Sequence, residues 1–317
     1  MRVIYSSRYR IDIGPHVYPT DKYQRVRAGL LETGVVHATN IIEPQAARWD
    51  ELALVHTPDY LTKMREGTLS SEDIAELELP WSVEMVEGFR LMTGGTIDAA
   101  CLACGVARTR LVVQDFSPAH IVCHVGGGLH HAFPNHGEGF CPFNDVAVAA
   151  RFLQARGIER VAIVDLDVHH GNGTAFIFES DPRVFTFSMH QQHNYPMWKP
   201  RGSLDIGLPD GTGDARFLRE LAQALPTAMA SKPQCVFYLA GADPYEHDQL
   251  GGLRVTREGL RQRDRLVIET VRAAGVPLVI TLAGGYARHV EDTVAIHVAT
   301  IEEAKNATMK TRKHEED

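Results

Sequence analysis

Short apolar runs recur along the chain, and stretches with apolar residues at helical spacing separate them. The runs "RVIYS" (2–6), "HIVCHV" (120–125), "RVAIVDL" (160–166), "RVFTFSM" (183–189), "QCVFYLAG" (234–241) and "PLVITLAG" (277–284) read as strands. Between them "DVAVAARFLQARG", "DARFLRELAQAL" and "TREGLRQRDRLVIETVRAAG" read as amphipathic helices. In the last, Leu260, Val267 and Val271 share one helical face, and Gly275 is placed to end the helix. Strands alternating with helices predict βαβ units, an α/β fold and a mostly parallel sheet. Such sheets bind ligands at the carboxyl ends of their strands. There is no internal repeat and no Pro/Gly/Ser linker, so residues 1–304 read as one domain. The polar run "KNATMKTRKHEED" (305–317) reads as a charged, frayed tail.

Composition narrows the picture. The 317 residues are 44% hydrophobic, as in an ordinary globular protein, and carry a net charge of −8. An acidic chain is a poor general nucleic-acid binder, which would show a basic face. "MRVIYSSRYRIDIG" meets charge too early for a signal peptide, and no apolar run approaches membrane-spanning length, so the expected location is cytoplasmic. The five cysteines form no disulfide framework. Cys101 and Cys104 make a C-x-x-C inside the Ala-rich "TGGTIDAACLACGVA", where a helical core is the better reading than zinc or redox chemistry.

The chemistry lies just past the strand ends. After "HIVCHV" comes "GGGLHHAFP", with His130 and His131. After "RVAIV" comes "DLDVHHGNG", with Asp165, Asp167, His169 and His170. After "QCVFYLA" comes "GADP", with Asp243, and after "PLVITLA" comes "GGY", with Tyr286. Singly, each has a plain explanation: a loop acid, a surface histidine, a helix cap at Asp243, a core tyrosine. Together they predict one cleft, provided the strand ends share one sheet edge. Asp167 and His169 are two apart, so on an extended segment they face the same side. With Asp243 they form an Asp₂His set suited to Zn²⁺, Fe²⁺ or Mn²⁺, with positions open for water and a carbonyl oxygen. "HQQH" (His190 to His193) is a weaker metal candidate, without a nearby acid.

The blocks "GGGLHHA", "GFCPFNDVAVAA", "VDLDVHHGNGT", "VFTFSMH", "AGADP" and "AGGY" resemble those of the metal-dependent histone deacetylase and acetylpolyamine amidohydrolase family. "TGGTI", "DQLGGLRVTREGLRQRDRLV" and the short length look most like its class IV and related bacterial branch. The resemblance implies the arginase/deacetylase fold, with helices on both faces of the sheet, and a hydrolase acting on acyl-lysine or related acylamines such as acylated polyamines. It implies Asp167, His169 and Asp243 as zinc ligands, with Fe²⁺ as the other candidate, and His130 and His131 as the tandem histidines. Asp165 and Asn172 would stand behind them, and Tyr286 would be the transition-state phenol. Asn172 matches class II members, where many class I enzymes carry Asp. A structural potassium ion would sit on Asp165, Asp167, the backbone of His169, Ser188 and the backbone of Met189. Gly139 and Phe140 would line the acyl-lysine channel, opposite Tyr195, Met197 or Trp198, and His170 would be structural.

The chemistry so implied is metal-assisted amide hydrolysis, with His131 as base, His130 supplying charge and orientation, and Tyr286 donating to the oxyanion. Two other functions fit parts of the pattern. A binuclear manganese ureohydrolase would need a second set of Asp and His ligands. A non-catalytic acyl-group reader would be expected to lack the dyad or the tyrosine.

Overall fold

The computed structural model describes residues 1–108 and 121–316. Eight parallel strands form its centre: β1 (Arg2–Ile4), β2 (Ile41–Ile42), β3 (Ile121–His124), β4 (Val161–Asp165), β5 (Val184–Gln191), β6 (Leu204–Leu208), β7 (Cys235–Leu239) and β8 (Leu278–Thr281). They lie in the order β2-β1-β3-β8-β7-β4-β5-β6. The helices are α1 (Lys22–Glu32), α2 (Trp49–Leu52), α3 (Pro58–Glu66), α4 (Ser71–Leu77), α5 (Val83–Cys104), α6 (Asp145–Gln154), α7 (Asn172–Phe178), α8 (Asp214–Ala230), α9 (Arg257–Ala273) and α10 (Val290–Glu316).

Strands β3, β4, β7 and β8 are buried at every position. A parallel sheet reads this way when both of its faces are covered. Helix α5 packs on β1, β3 and β8 and on α6, while α8, α9, α10 and α1 pack in series, with α8 against β4 and β5 and α9 against β8. Cys101 and Cys104 lie within α5 as free thiols.

The six expected strands all form, with shifted ends. The run at 2–6 stops at Ile4, because Ser6 caps a short 3-10 turn by accepting from the Arg8 N–H. His120, the first residue of the second run, lies outside the described residues. The edge strands β2 and β6 were not expected. The first is two residues long, and the second is an alternating, half-exposed "LDIGL" interrupted by a glycine. The helix α10 continues past Lys305, where composition suggests fraying. Ala304 and Ala307 are buried there, and Lys305 Nζ donates to Gly34 O at 2.8 Å.

Two buried charges shape the strand ends. Asp145, the first residue of α6, accepts from the Gly128 N–H at 3.0 Å and the Leu129 N–H at 2.7 Å. It thereby holds the loop that leads from β3 to His130. Gly127 and Gly128 in that loop have φ of +72° and +83°, and a Cβ on Gly127 would sit 2.4 Å from Asp145 Oδ2. Arg263 on α9 is fully buried, pairs with Asp264 at 2.8 Å, and donates to the carbonyls of Gly241 and Leu166. Those carbonyls stand just before Asp243 and Asp167.

Candidate active site

Strands β3, β8, β7 and β4 are consecutive in the sheet. Their carboxyl ends therefore deliver His130 and His131, Tyr286, Asp243, and Asp165 to His169 to one edge. A narrow cleft opens there, lined among others by His130, His131, Gly139, Phe140, Asp167, His169 and Tyr286.

Beyond β4 the chain turns on its own acids. Asp165 Oδ1 accepts from the Asp167 N–H at 3.1 Å, and Asp167 Oδ1 from the His169 N–H at 3.0 Å. One ligand-type atom from each of Asp167, His169 and Asp243 lies within 4.8 Å of the others. His169 Nδ1 is 3.0 Å from Asp167 Oδ1 and 3.6 Å from Asp243 Oδ2. Asp167 Oδ2 accepts from the Gly284 N–H at 2.8 Å, and Asp243 Oδ1 from the Val168 N–H at 2.9 Å. Asp243 Oδ2 is buried without a hydrogen-bond partner among the described residues. It does not cap a helix; α9 is capped by Thr256.

The electrostatics of this set call for a cation. Burial and the neighbouring Asp167 push the Asp243 carboxyl up to about 7. Burial would lower His169, but its bond to Asp167 and the nearby negative charge of Asp243 outweigh that and raise it to about 10. Two carboxylates this close resist joint ionisation unless positive charge lies between them. Oxygen, oxygen and imidazole nitrogen, with one oxygen left bare, fit a divalent metal.

The two histidines stand beside this set, their Nε2 atoms 3.0 Å apart. His130 Nδ1 donates to Asp165 Oδ2 at 2.7 Å. Burial alone would lower His130, but the charges of Asp165 and Asp167 raise it to about 9. Burial, His130 and His169 hold His131 well below the usual imidazole range. One ring is thus set to be charged and the other neutral, as neighbours with opposed environments are. His131 Nδ1 donates to Asn172 Oδ1 at 2.7 Å. Burial and the charges of Asp167 and Asp243 raise the Tyr286 phenol well above its normal range, so it keeps its proton.

Asp165 and Ser188 are register partners on β4 and β5, and Met189 follows, buried. Ser188 Oγ lies 3.1 Å from His190 Nδ1. His190 packs against the buried His170, whose Nε2 is 3.3 Å from Asp205. His190 and His193 join no group of closely spaced metal-type ligands among the described residues. Tyr195 lies edge-on to His131 and His169, with ring centroids 5.0 and 6.1 Å away. Met197 is 97% exposed and is not among the residues that line the cleft. The Tyr195–Pro196 bond is cis, and Trp198 beyond it stacks on Phe133.

Three residues near the site were not anticipated. Lys22 is fully buried, donates to Ala283 O at 3.0 Å and lies 5.3 to 5.5 Å from the ring centres of Tyr18, Tyr23 and Tyr286. Burial lowers it to about 8, against the pull of Asp243, Asp167 and Asp248. Asp248 accepts from the Tyr286, Leu250 and Gly251 N–H groups and so pins the loop that carries the phenol. Glu138 accepts from Asn172 Nδ2 and from the Tyr195 hydroxyl, each at 2.7 Å. Its only signal in the sequence is its place in "GEGF", just before Gly139.

The histone deacetylase domain model matches residues 16–301. The chain belongs to the histone deacetylase family. It is 43% identical over 284 residues to an uncharacterized protein of a Picosynechococcus strain, covering 89% of this chain and 90% of that one. It is 31% identical to histone deacetylase 2 of Arabidopsis thaliana, over 92% of this chain and 77% of that one. Among solved structures, the HDA15 HD domain superposes with a TM-score of 0.76 at 25% identity, covering 98% of this chain and 91% of that one. An HDAC homolog complexed with SAHA gives 0.79 at 24% identity, over 96% and 84% of the two chains, and speaks for the fold alone. This histone deacetylase family member therefore has the arginase/deacetylase fold and is a hydrolase acting on amides. No helix among the described residues is long and apolar enough to cross a membrane.

Proposed function

We propose that this chain is a zinc-dependent deacylase that releases a carboxylate and a free amine from acyl-lysine or acylated polyamines. The observation that carries the reading is the bare, buried Asp243 Oδ2 grouped with Asp167 and His169 beside a histidine dyad. A divalent ion on Asp167, His169 and Asp243 would polarise the acyl carbonyl and bring the pKa of water towards ~7. His131 takes the proton of the attacking water on Nε2 while its Nδ1–H stays bonded to Asn172. It later returns that proton to the leaving amine. His130, charged and braced by Asp165, stabilises the negative charge that builds up. Tyr286, which stays protonated, donates to the oxyanion.

Gly139, Phe140 and Tyr195 are assigned to the channel. Phe140 stands 6.0 Å from Tyr286, centroid to centroid, and Tyr195 packs on His131. A potassium ion on Asp165, Asp167, the His169 backbone, Ser188 and the Met189 backbone is part of the same reading. The binuclear alternative is not favoured. The other close group of ligand-type side chains among the described residues, Glu76, His136 and Glu138, lies outside the cleft lining.

The test is metal content per chain together with turnover of an acetyl-lysine peptide, a longer-chain acyl-lysine peptide and an acetylpolyamine. About one zinc per chain with hydrolysis of one of these substrates supports the proposal. A metal-loaded chain that binds but cleaves none of them refutes it in favour of a reader.

A further inference from the structure

The reaction needs His131 in one proton arrangement, with Nδ1 carrying hydrogen and Nε2 free to accept. An asparagine does not by itself impose this. Its amide offers an acceptor at one end and a donor at the other, and either end could face the ring. What lies beyond Asn172 decides. Asn172 Nδ2 is 2.7 Å from Glu138 Oε1, and the Tyr195 hydroxyl donates to the same oxygen at 2.7 Å. His136 Nε2 stands 3.6 Å from the other oxygen. Burial would raise the Glu138 carboxyl, but His136, Tyr195 and Asn172 hold it below its usual range. An ionised carboxylate only accepts, so the NH₂ of Asn172 must point to it and the C=O to His131. That carbonyl takes the hydrogen on His131 Nδ1 at 2.7 Å.

We infer that Glu138 is the positioning residue of the general base: through Asn172 it supplies, one side chain further out, the negative charge that a carboxylate beside His131 would provide directly. Hydrogen bonds in a chain polarise one another, so the charge strengthens the Asn172 acceptor when His131 becomes an imidazolium. Glu138 touches no reacting atom. By holding Tyr195 on the same oxygen it also ties the channel wall to the base. The inference rests on the reading of His131 as the base.

Two substitutions separate charge from geometry. Glu138→Gln keeps an oxygen for both donors and removes the charge. Glu138→Leu removes both. Losses of outlying hydrogen-bond partners in such sites run to ~10–100-fold. We expect kcat on an acetyl-lysine peptide to fall by about 10-fold or less in Glu138→Gln and by on the order of 10–100-fold in Glu138→Leu. KM and zinc content should stay near wild type. Adding Asn172→Asp to Glu138→Gln places a carboxylate directly on His131 and should recover most of kcat. The proton spectrum of the zinc-loaded protein, assigned through a His131→Gln variant, should lose or shift the His131 Nδ1–H signal in Glu138→Leu. A purely structural role would lower the melting temperature and give no rescue by Asn172→Asp. Wild-type kcat and an unmoved signal in Glu138→Leu would overturn the inference while leaving the deacylase reading intact. If the wild type hydrolyses no acylamine, that reading fails, and the His131 signal still decides whether Glu138 sets the ring.

Discussion

Replacing Gly284 by alanine should empty the metal site while leaving the fold in place. Gly284 lies just past β8 and its N–H donates to Asp167 Oδ2. A Cβ there would lie 1.9 Å from Asp243 Oδ2 and 2.6 Å from Asp167 Oδ2. Ordinary contact needs roughly 3.4 Å, so the Asp243 oxygen would have to move by about 1.5 Å, whereas a metal–ligand distance tolerates ~0.2 Å. Neither carboxylate swings freely, since Asp243 Oδ1 is held by the Val168 N–H and Asp167 Oδ1 by the His169 N–H. Zinc affinity should therefore fall by at least ~10²-fold, the upper range for disturbing groups around a metal site. Overpacking of this kind costs ~1–3 kcal/mol, or a drop of roughly 2–10 °C in Tm for a domain of this size class. Gly213→Ala is the control, because its nearest neighbour, the Arg254 carbonyl, would lie 3.4 Å away. Metal per chain after dialysis against a weak chelator, read beside Tm and kcat, is the assay. A Gly284→Ala protein that keeps its zinc and wild-type turnover would refute the placement of the metal between these two carboxylates.

Tyr286→Phe should retain metal and lower kcat by ~10²–10³, the usual loss for one oxyanion donor. Kinetics and Tm on the same variant separate this from a packing role, which would move Tm and spare turnover. Stripped of metal, the protein should become less stable as pH rises from about 7 to 8. His130 and His169 are raised to about 9 and 10, so the stability from their protonation, complete below the unfolded value near ~6.5, is being lost across that window. Lys22, lowered to about 8, works in the opposite sense and chiefly above that pH, where the unfolded chain keeps a proton that the folded chain sheds and stability from this group rises with pH. Thermal melts at the two pH values check the sign, and added zinc should reduce the fall by holding His169 unprotonated. Arg263→Met should leave Asp264 buried without its cation and destabilise by ~3–5 kcal/mol in a denaturant titration. A hydroxamate should inhibit the zinc-loaded enzyme by chelation, with competitive kinetics as the check.

Local order in the chain determined a good deal. Apolar runs of full burial gave away the inner strands, because a strand covered on both faces has no reason to alternate. The residues immediately after them gave away the site, because a parallel sheet presents its carboxyl ends to ligands. Asp167 and His169 are neighbours in sequence, so their pairing needed no tertiary knowledge. Tertiary structure decided the rest. Strands β7 and β8 insert between β3 and β4, and only that order brings Asp243 and Tyr286 against His130, His131 and His169. The edge strands β2 and β6 owe their state to pairing with β1 and β5, since neither is long or apolar enough to declare itself. Met197 sits two residues from Tyr195, yet the first is in solvent and the second on the dyad, a difference that the backbone path makes and residue type does not. Lys22, Arg263 and Glu138 look like ordinary surface charges in the sequence. Each is drawn inward because another segment supplies what a buried charge requires: the Ala283 carbonyl for Lys22, two strand-end carbonyls beside Asp264 for Arg263, and the donors of Asn172 and Tyr195 for Glu138. Burial of charge is a long-range decision, and it is the one that periodicity along a chain does not record.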